Sequence, residues 1–107
     1  MKTFSTKTRW ATYPGCKLVL REYANNKHVS VSIVSETEGP IANLTVNLPF
    51  TDHFGSSYAF LDTNNFPDGE RLVEELGIAE SVGFSAPSGF CSYPLYRFDL
   101  DKAKEYA

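Results

Sequence analysis

Hydrophobic and polar positions alternate through most of the first half of this chain. A period of two marks a strand with one face buried and one in water. The clearest case is Ala42, Leu44, Val46, Leu48 and Phe50, which share one face, while Asn43, Thr45 and Asn47 share the other. Pro49 is expected to end that ladder or hold it at an edge. The same period runs through His28–Val34, with Val29, Val31 and Ile33 inward and His28, Ser30 and Ser32 outward. In Cys16–Tyr23, Leu18 and Leu20 oppose Val19, Arg21 and Tyr23. Turn residues separate these runs: Pro14-Gly15 after a short Trp10–Tyr13 strand, Asn25-Asn26, and the loop Glu36–Pro40. Connections this short make the neighbouring strands antiparallel.

Past the loop Asp52–Ser57 the pattern changes. Tyr58–Leu61 is a short aromatic strand, and a helix follows with Asn65 as N-cap and Pro67 in its first turn. Leu72, Val73 and Leu76 form its apolar stripe, and Arg71, Glu74 and Glu75 face water. Gly77 is placed to close it in the left-handed conformation, with Ile78 folding back on the last turn. Ile78–Gly89 reads as irregular. Phe90–Leu100 is a last strand that Pro94 assigns to an edge or a bulge. Residues 1–8 read as a flexible leader and Asp101–Ala107 as a helical turn or frayed tail. The expectation is one α+β domain: an antiparallel sheet of about five strands, opened by a hairpin meander, with one helix packed on one face.

Composition narrows the class. A chain of 107 residues with 42% hydrophobic positions can bury a core without disulfides or metals, and 14% aromatic residues exclude a wholly disordered chain. No apolar run is long enough for a membrane helix, and Met1–Arg9 lacks the apolar stretch of an export signal, so a cytoplasmic protein is expected. Cys16 and Cys91 fit no zinc or redox spacing and read as reduced thiols packed as small hydrophobes. Charge is uneven: residues 1–28 carry a net +5 and residues 29–107 a net −8. A pI near 5.3 disfavours nucleic-acid binding. The alternative of a nucleic-acid binder would rest on Lys7, Arg9 and Lys17.

Few residues carry recognisable chemistry. Asp62–Glu70 is rich in oxygen ligands, but Phe66, Pro67 and Val73 stand where a calcium loop needs a ligand, a glycine and a carboxylate. Metal and cofactor sites are therefore not expected, nor are catalytic residues. The enzymatic alternative is a Cys91 nucleophile with His28 or His53 as base. The feature worth following is the aromatic cluster Phe84, Phe90, Tyr93, Tyr96 and Phe98, with Tyr58 and Phe60 as neighbours. Such a cluster builds either a core wall or a protein-binding surface. As a surface it would consist of Tyr93, Tyr96, Arg97 and Phe98, rimmed by Asp62, Asn64 and Asn65. A protein partner is expected there, with self-association as an alternative.

Three segments, Thr45-Val46-Asn47-Leu48-Pro49, Asp62-Thr63-Asn64-Asn65 and Gly89-Phe90-Cys91-x-Tyr93-Pro94-x-Tyr96-x-Phe98, occur in an order and spacing that carry a resemblance. Over roughly residues 16–100 the chain resembles a domain-of-unknown-function family of short proteins from Gram-positive bacteria, their phages and mobile elements. The resemblance implies a shared fold and a mobile-element setting, in which small acidic proteins act by binding a host or rival protein. It supplies no catalytic residues.

Overall fold

Phe4–Lys7 (β1) buries Phe4 and Thr6 and exposes Ser5 and Lys7, so the expected flexible leader is a strand. The structure, a computed structural model, describes residues 2–48 and 55–107. β1 turns at Thr8–Ala11 and pairs with Thr12–Glu22 (β2). Pro14-Gly15 therefore lies inside β2 and does not turn the chain. Phe4 pairs with Cys16 and Thr6 with Tyr13, so β2 carries an extra residue there. Gly15, at φ +66°, supplies the left-handed residue that such a bulge requires. The signal for a tight turn and for a glycine bulge is the same, and only the pairing partner separates them.

β2 pairs in continuous register with Val29–Ser35 (β3), from Glu22 opposite Val29 to Cys16 opposite Ser35. The connection is longer than the expected two-residue turn at Asn25-Asn26: Tyr23 N–H donates to His28 O, and Lys27 adopts the positive φ. Val29, Val31 and Ile33 face inward as expected, but His28 is also buried, its Nδ1 lying 3.0 Å from Tyr58 O.

The best-patterned segment divides. Gly39–Asn43 (β4) pairs with β3, and Thr45–Val46 (β5) pairs with Tyr58–Leu61 (β6). Leu44 is the corner: its N–H donates to Val31 O and its carbonyl accepts from Asp62 N–H, both at 2.9 Å. The Thr45 hydroxyl continues the seam, accepting from Val31 N–H and bonding the Tyr23 phenol. Pro49 and Phe50 lie outside the described residues.

The helix, Gly69–Leu76 (α1), starts later than expected. Asn65 does not cap it; its N–H and side-chain amide donate backward to the Asp62 carboxylate. Phe66 is then buried, and the helix begins once the chain has passed over it. Gly69 makes that possible, because a Cβ there would lie 3.3 Å from Leu44 Cδ1 and 3.4 Å from Phe66 Cδ2. At the far end Gly77 N–H donates to Glu74 O and Ile78 N–H to Val73 O, the closure expected from Gly77.

Ile78–Gly89 is not irregular. Ala79–Ser88 (β7) pairs along Cys91–Phe98 (β8), broken by a bulge between Ser81 and Ser85 that holds Gly83 at φ +80°. Pro87 is tolerated because β7 is the edge strand. β8, expected at an edge or a bulge, is no edge strand but lies between β6 and β7. Pro94 falls one residue beyond Leu95, the last partner of β6, and stands opposite the end of the β7 bulge, paired with Ser85. Leu100–Lys104 (α2) is capped by the Asp99 carboxylate. The C-terminal segment is docked: Tyr106 O accepts from Leu18 N–H, and its ring meets Phe4 edge-on.

The fold is thus α+β with antiparallel pairing, its strands shared between two four-stranded sheets ordered β1-β2-β3-β4 and β5-β6-β8-β7. The main core lies between them and includes Phe4, Leu18, Ile33, Leu44, Leu61, Phe66, Leu72, Tyr96 and Phe98. A smaller cluster of Leu48, Phe60, Ala86 and Leu95 lies on the other face of the second sheet. One buried polar atom in the first sheet, Thr6 Oγ1, has no hydrogen-bond partner. Leaving such a group unsatisfied costs about 1–3 kcal/mol.

Truncation of Leu44 to alanine is expected to remove about 2–5 kcal/mol of stability in urea unfolding, since it opens a cavity where sheet, sheet and helix meet. Gly77→Ala is expected to lose about 1 kcal/mol, because an L-residue is strained at φ +70°.

Candidate functional site

Two hairpin tips and one polar turn occupy the same end of the molecule. The first tip is ordered by Thr8, whose hydroxyl accepts from the N–H groups of Trp10 and Ala11. This turn holds Trp10 outward with 87% of its surface exposed. Beside it, the Arg9 guanidinium donates to Asn64 O at 2.6 Å, clamping the tip onto the Asp62–Asn65 turn. A cleft of about 250 Å³ lies at this clamp, lined by Lys7, Thr8, Arg9, Pro67 and Asp68.

Register carries the turn across to the second tip. Phe60 pairs with Leu95, so two residues further along β6 Asp62 comes level with Tyr93. Burial, then the neighbouring Cys91 and Asp62, push the Tyr93 phenol above the ordinary tyrosine range. One step beyond Cys91, Gly89 and Phe90 make the turn of the β7–β8 hairpin, and Phe90 is fully exposed. No charged residue occurs between Glu80 and Arg97, and Val82 and Phe84 also reach the surface of this arm.

The residues expected to form a surface therefore separate. Tyr93, Asp62, Asn64 and Asn65 share this end, Asp62 buried and bonded to Asn65 and Asn64 exposed. Tyr96 and Phe98 belong to the core and present nothing outward. Side chains alternate along β8, and a strand with apolar residues on both faces does not announce which face is covered. Arg97 is exposed but lies toward the opposite end, paired with Glu80 across the strands. It lines a cleft of about 370 Å³ with Ala79, Asp99 and Lys102.

Trp10 and Phe90 as projecting tips are the positions that the surface expected from sequence left out. Ser88-Gly89 before Phe90 is a turn signal, and it would have placed Phe90 on a tip had Ala79–Ser88 been read as its partner strand.

The thiols differ in setting. Cys16 is fully buried, its Sγ donating to Tyr13 O, and burial pushes the thiol up. Cys91 is partly exposed. His28 lies against Tyr58, which pairs with Arg97, and Cys91 is six residues further along β8. At ~3.3 Å per residue the two are separated by roughly 20 Å, too far for nucleophile and base. His53 lies outside the described residues. Among the described residues no three His, Cys, Asp or Glu side chains are grouped to hold a metal ion. Among the described residues no helix is long and apolar enough to cross a membrane.

The sequence model of DUF4313, a domain of unknown function, matches residues 17–107. The chain belongs to the DUF4313 family. Neither a curated protein nor a solved structure matches the chain. The match spans the Thr45–Pro49, Asp62–Asn65 and Gly89–Phe98 segments. β1 and the first residues of β2 precede it. The DUF4313 match therefore includes the Phe90 arm and the polar turn, whereas Trp10 and Arg9 stand outside it.

Tyr96 shows how the helix is anchored behind this end. Its phenol donates to Glu70 at 3.0 Å and reaches Glu74 at 3.4 Å. Burial first, then these two carboxylates, raise its pKa well above the ordinary tyrosine range. The folded chain keeps this proton at pH values where the unfolded chain has released it. The resulting stability is full below about pH 10 and is lost as pH climbs toward the folded value. Tyr96→Phe is expected to lose about 0.5–1.5 kcal/mol at neutral pH. It should also reduce the alkaline fall in stability, read from urea unfolding at successive pH values.

Proposed function

We propose that this DUF4313 chain is a non-enzymatic binding module that recognises another protein through the end bearing Trp10 and Phe90. The observation that carries this reading is the ordered exposure of two large aromatics on hairpin tips flanking the Asp62–Asn65 turn. Buried tryptophan and other aromatic anchors dominate interface energetics, and each gains about 1.5–3 kcal/mol on full burial. The stretch of the β7–β8 arm between Glu80 and Arg97 is uncharged and adds a surface that a partner covers without desolvating charge. Tyr93, Asn64 and Asn65 form the polar rim.

The family resemblance adds the setting: a cytoplasmic accessory protein of a mobile element or phage, with a host-defence protein as the target class to test first. The nucleic-acid reading has less to stand on. Lys2 is paired with Glu105, Lys17 with Glu36, and Arg9 is committed to Asn64, while the chain is net −3.

The test is affinity capture from source-cell lysate with and without nuclease, comparing the wild type with Trp10→Ser/Phe90→Ser. A stoichiometric protein partner that survives nuclease and is reduced at least about tenfold by the double variant is expected. Both changes are at exposed positions, so the variant should unfold within about 0.5 kcal/mol of wild type. A partner retained undiminished by the folded double variant would contradict the assignment, as would capture that nuclease abolishes. Light scattering of the purified chain identifies the case in which the partner is a second copy.

A further inference from the structure

We propose that the N-terminal hairpin is a releasable strap: β1 lifts from β2 as a unit, baring Cys16 and the outer edge of β2 while the rest of the chain stays folded. Four independent features converge on it. β1 is a four-residue edge strand whose sheet partner among the described residues is β2. Its docking is imperfect, since the pairing slips at the Pro14-Gly15 bulge and Thr6 Oγ1 is buried without a partner. Beyond β2 its polar fastenings are few: the exposed Lys2–Glu105 ion pair, the exposed bond from Arg9 to Asn64 O, and the backbone bond from Lys2 N–H to Glu105 O. The DUF4313 match begins at Lys17, just past Cys16, so β1 lies outside the matched residues.

Phe4 is the plug. It lies directly opposite Cys16 in register and packs edge-on against Tyr106. Lifting it uncovers the thiol, which makes Cys16 a reporter of opening. Local opening of this kind is expected where few buried contacts and exposed backbone bonds hold an element. A removable edge strand also leaves a row of backbone groups to which an extended segment can add. Opening additionally carries Trp10 away from Asn64. That last consequence rests on the recognition reading; the opening itself does not.

The experiment is native-state labelling of the full chain with a small thiol reagent, resolved by peptide mass spectrometry, beside the unfolding free energy from urea. Cys16 is expected to label at least about tenfold faster than global unfolding permits. Arg9→Ala, which removes the latch, should speed Cys16 labelling about fivefold, and Thr6→Val, which removes the unsatisfied hydroxyl, should slow it about fivefold. Hydrogen exchange of β3 amides should be unchanged in both variants. Cys16 labelling that merely tracks global unfolding, or that neither variant shifts, would overturn the proposal. Partner capture plays no part in these readouts, so failure here is separable from failure of the recognition reading.

Discussion

Leu44 is where one polypeptide serves two sheets. Its N–H closes the first sheet on Val31 and its carbonyl opens the second to Asp62. Its buried side chain sits under the start of the helix, where Gly69 has no Cβ to obstruct it. A backbone that supplies a donor to one sheet and an acceptor to the other leaves no buried polar group unpaired at the corner. Asp62, held by that carbonyl, starts the turn that delivers Asn64 to Arg9 and comes level with Tyr93. The geometry of the exposed end is therefore set by a contact in the core.

Alternation made the inner faces of β2 and β3 legible, and the helical stripe with its Gly77 closure, because both are local properties of the chain. What escaped was decided at a distance. Ala42–Leu48 keeps one strand's period while its backbone changes partners at Leu44, and no residue at the corner breaks the pattern. Pro14-Gly15, Gly83 and Pro87 read as breakers because glycine and proline serve turns, bulges and edges alike. β1 was missed because Ser5, Thr6 and Lys7 lack an apolar alternation, the inward residue being Thr6, whose hydroxyl is buried without a hydrogen-bond partner.

The candidate surface was legible in part for the same reason. Asp62, Asn64, Asn65 and Tyr93 are neighbours because β6 and β8 are in register, and the sequence places polar and aromatic residues in both segments. Tyr96 and Phe98 have the composition of interface residues but stand on the core face of β8. Composition cannot distinguish two apolar faces of one strand. Trp10 gained its meaning from the Thr8 turn that projects it and the Arg9 bond that fixes it beside the polar turn. The uneven charge of the sequence is largely resolved within the fold, since Lys2 and Lys17 meet acids from later in the chain.

The chain contains a single tryptophan, and it stands at the centre of the recognition claim. The most direct measurement is therefore the intrinsic fluorescence of Trp10, with and without a purified partner, followed by acrylamide quenching. The account predicts emission and quenching close to those of free tryptophan in water for the isolated chain. Binding should bring a blue shift and protection from the quencher. A partner that binds stoichiometrically while Trp10 stays as red and as quenchable as before would contradict the claim that this end of the molecule is where recognition occurs.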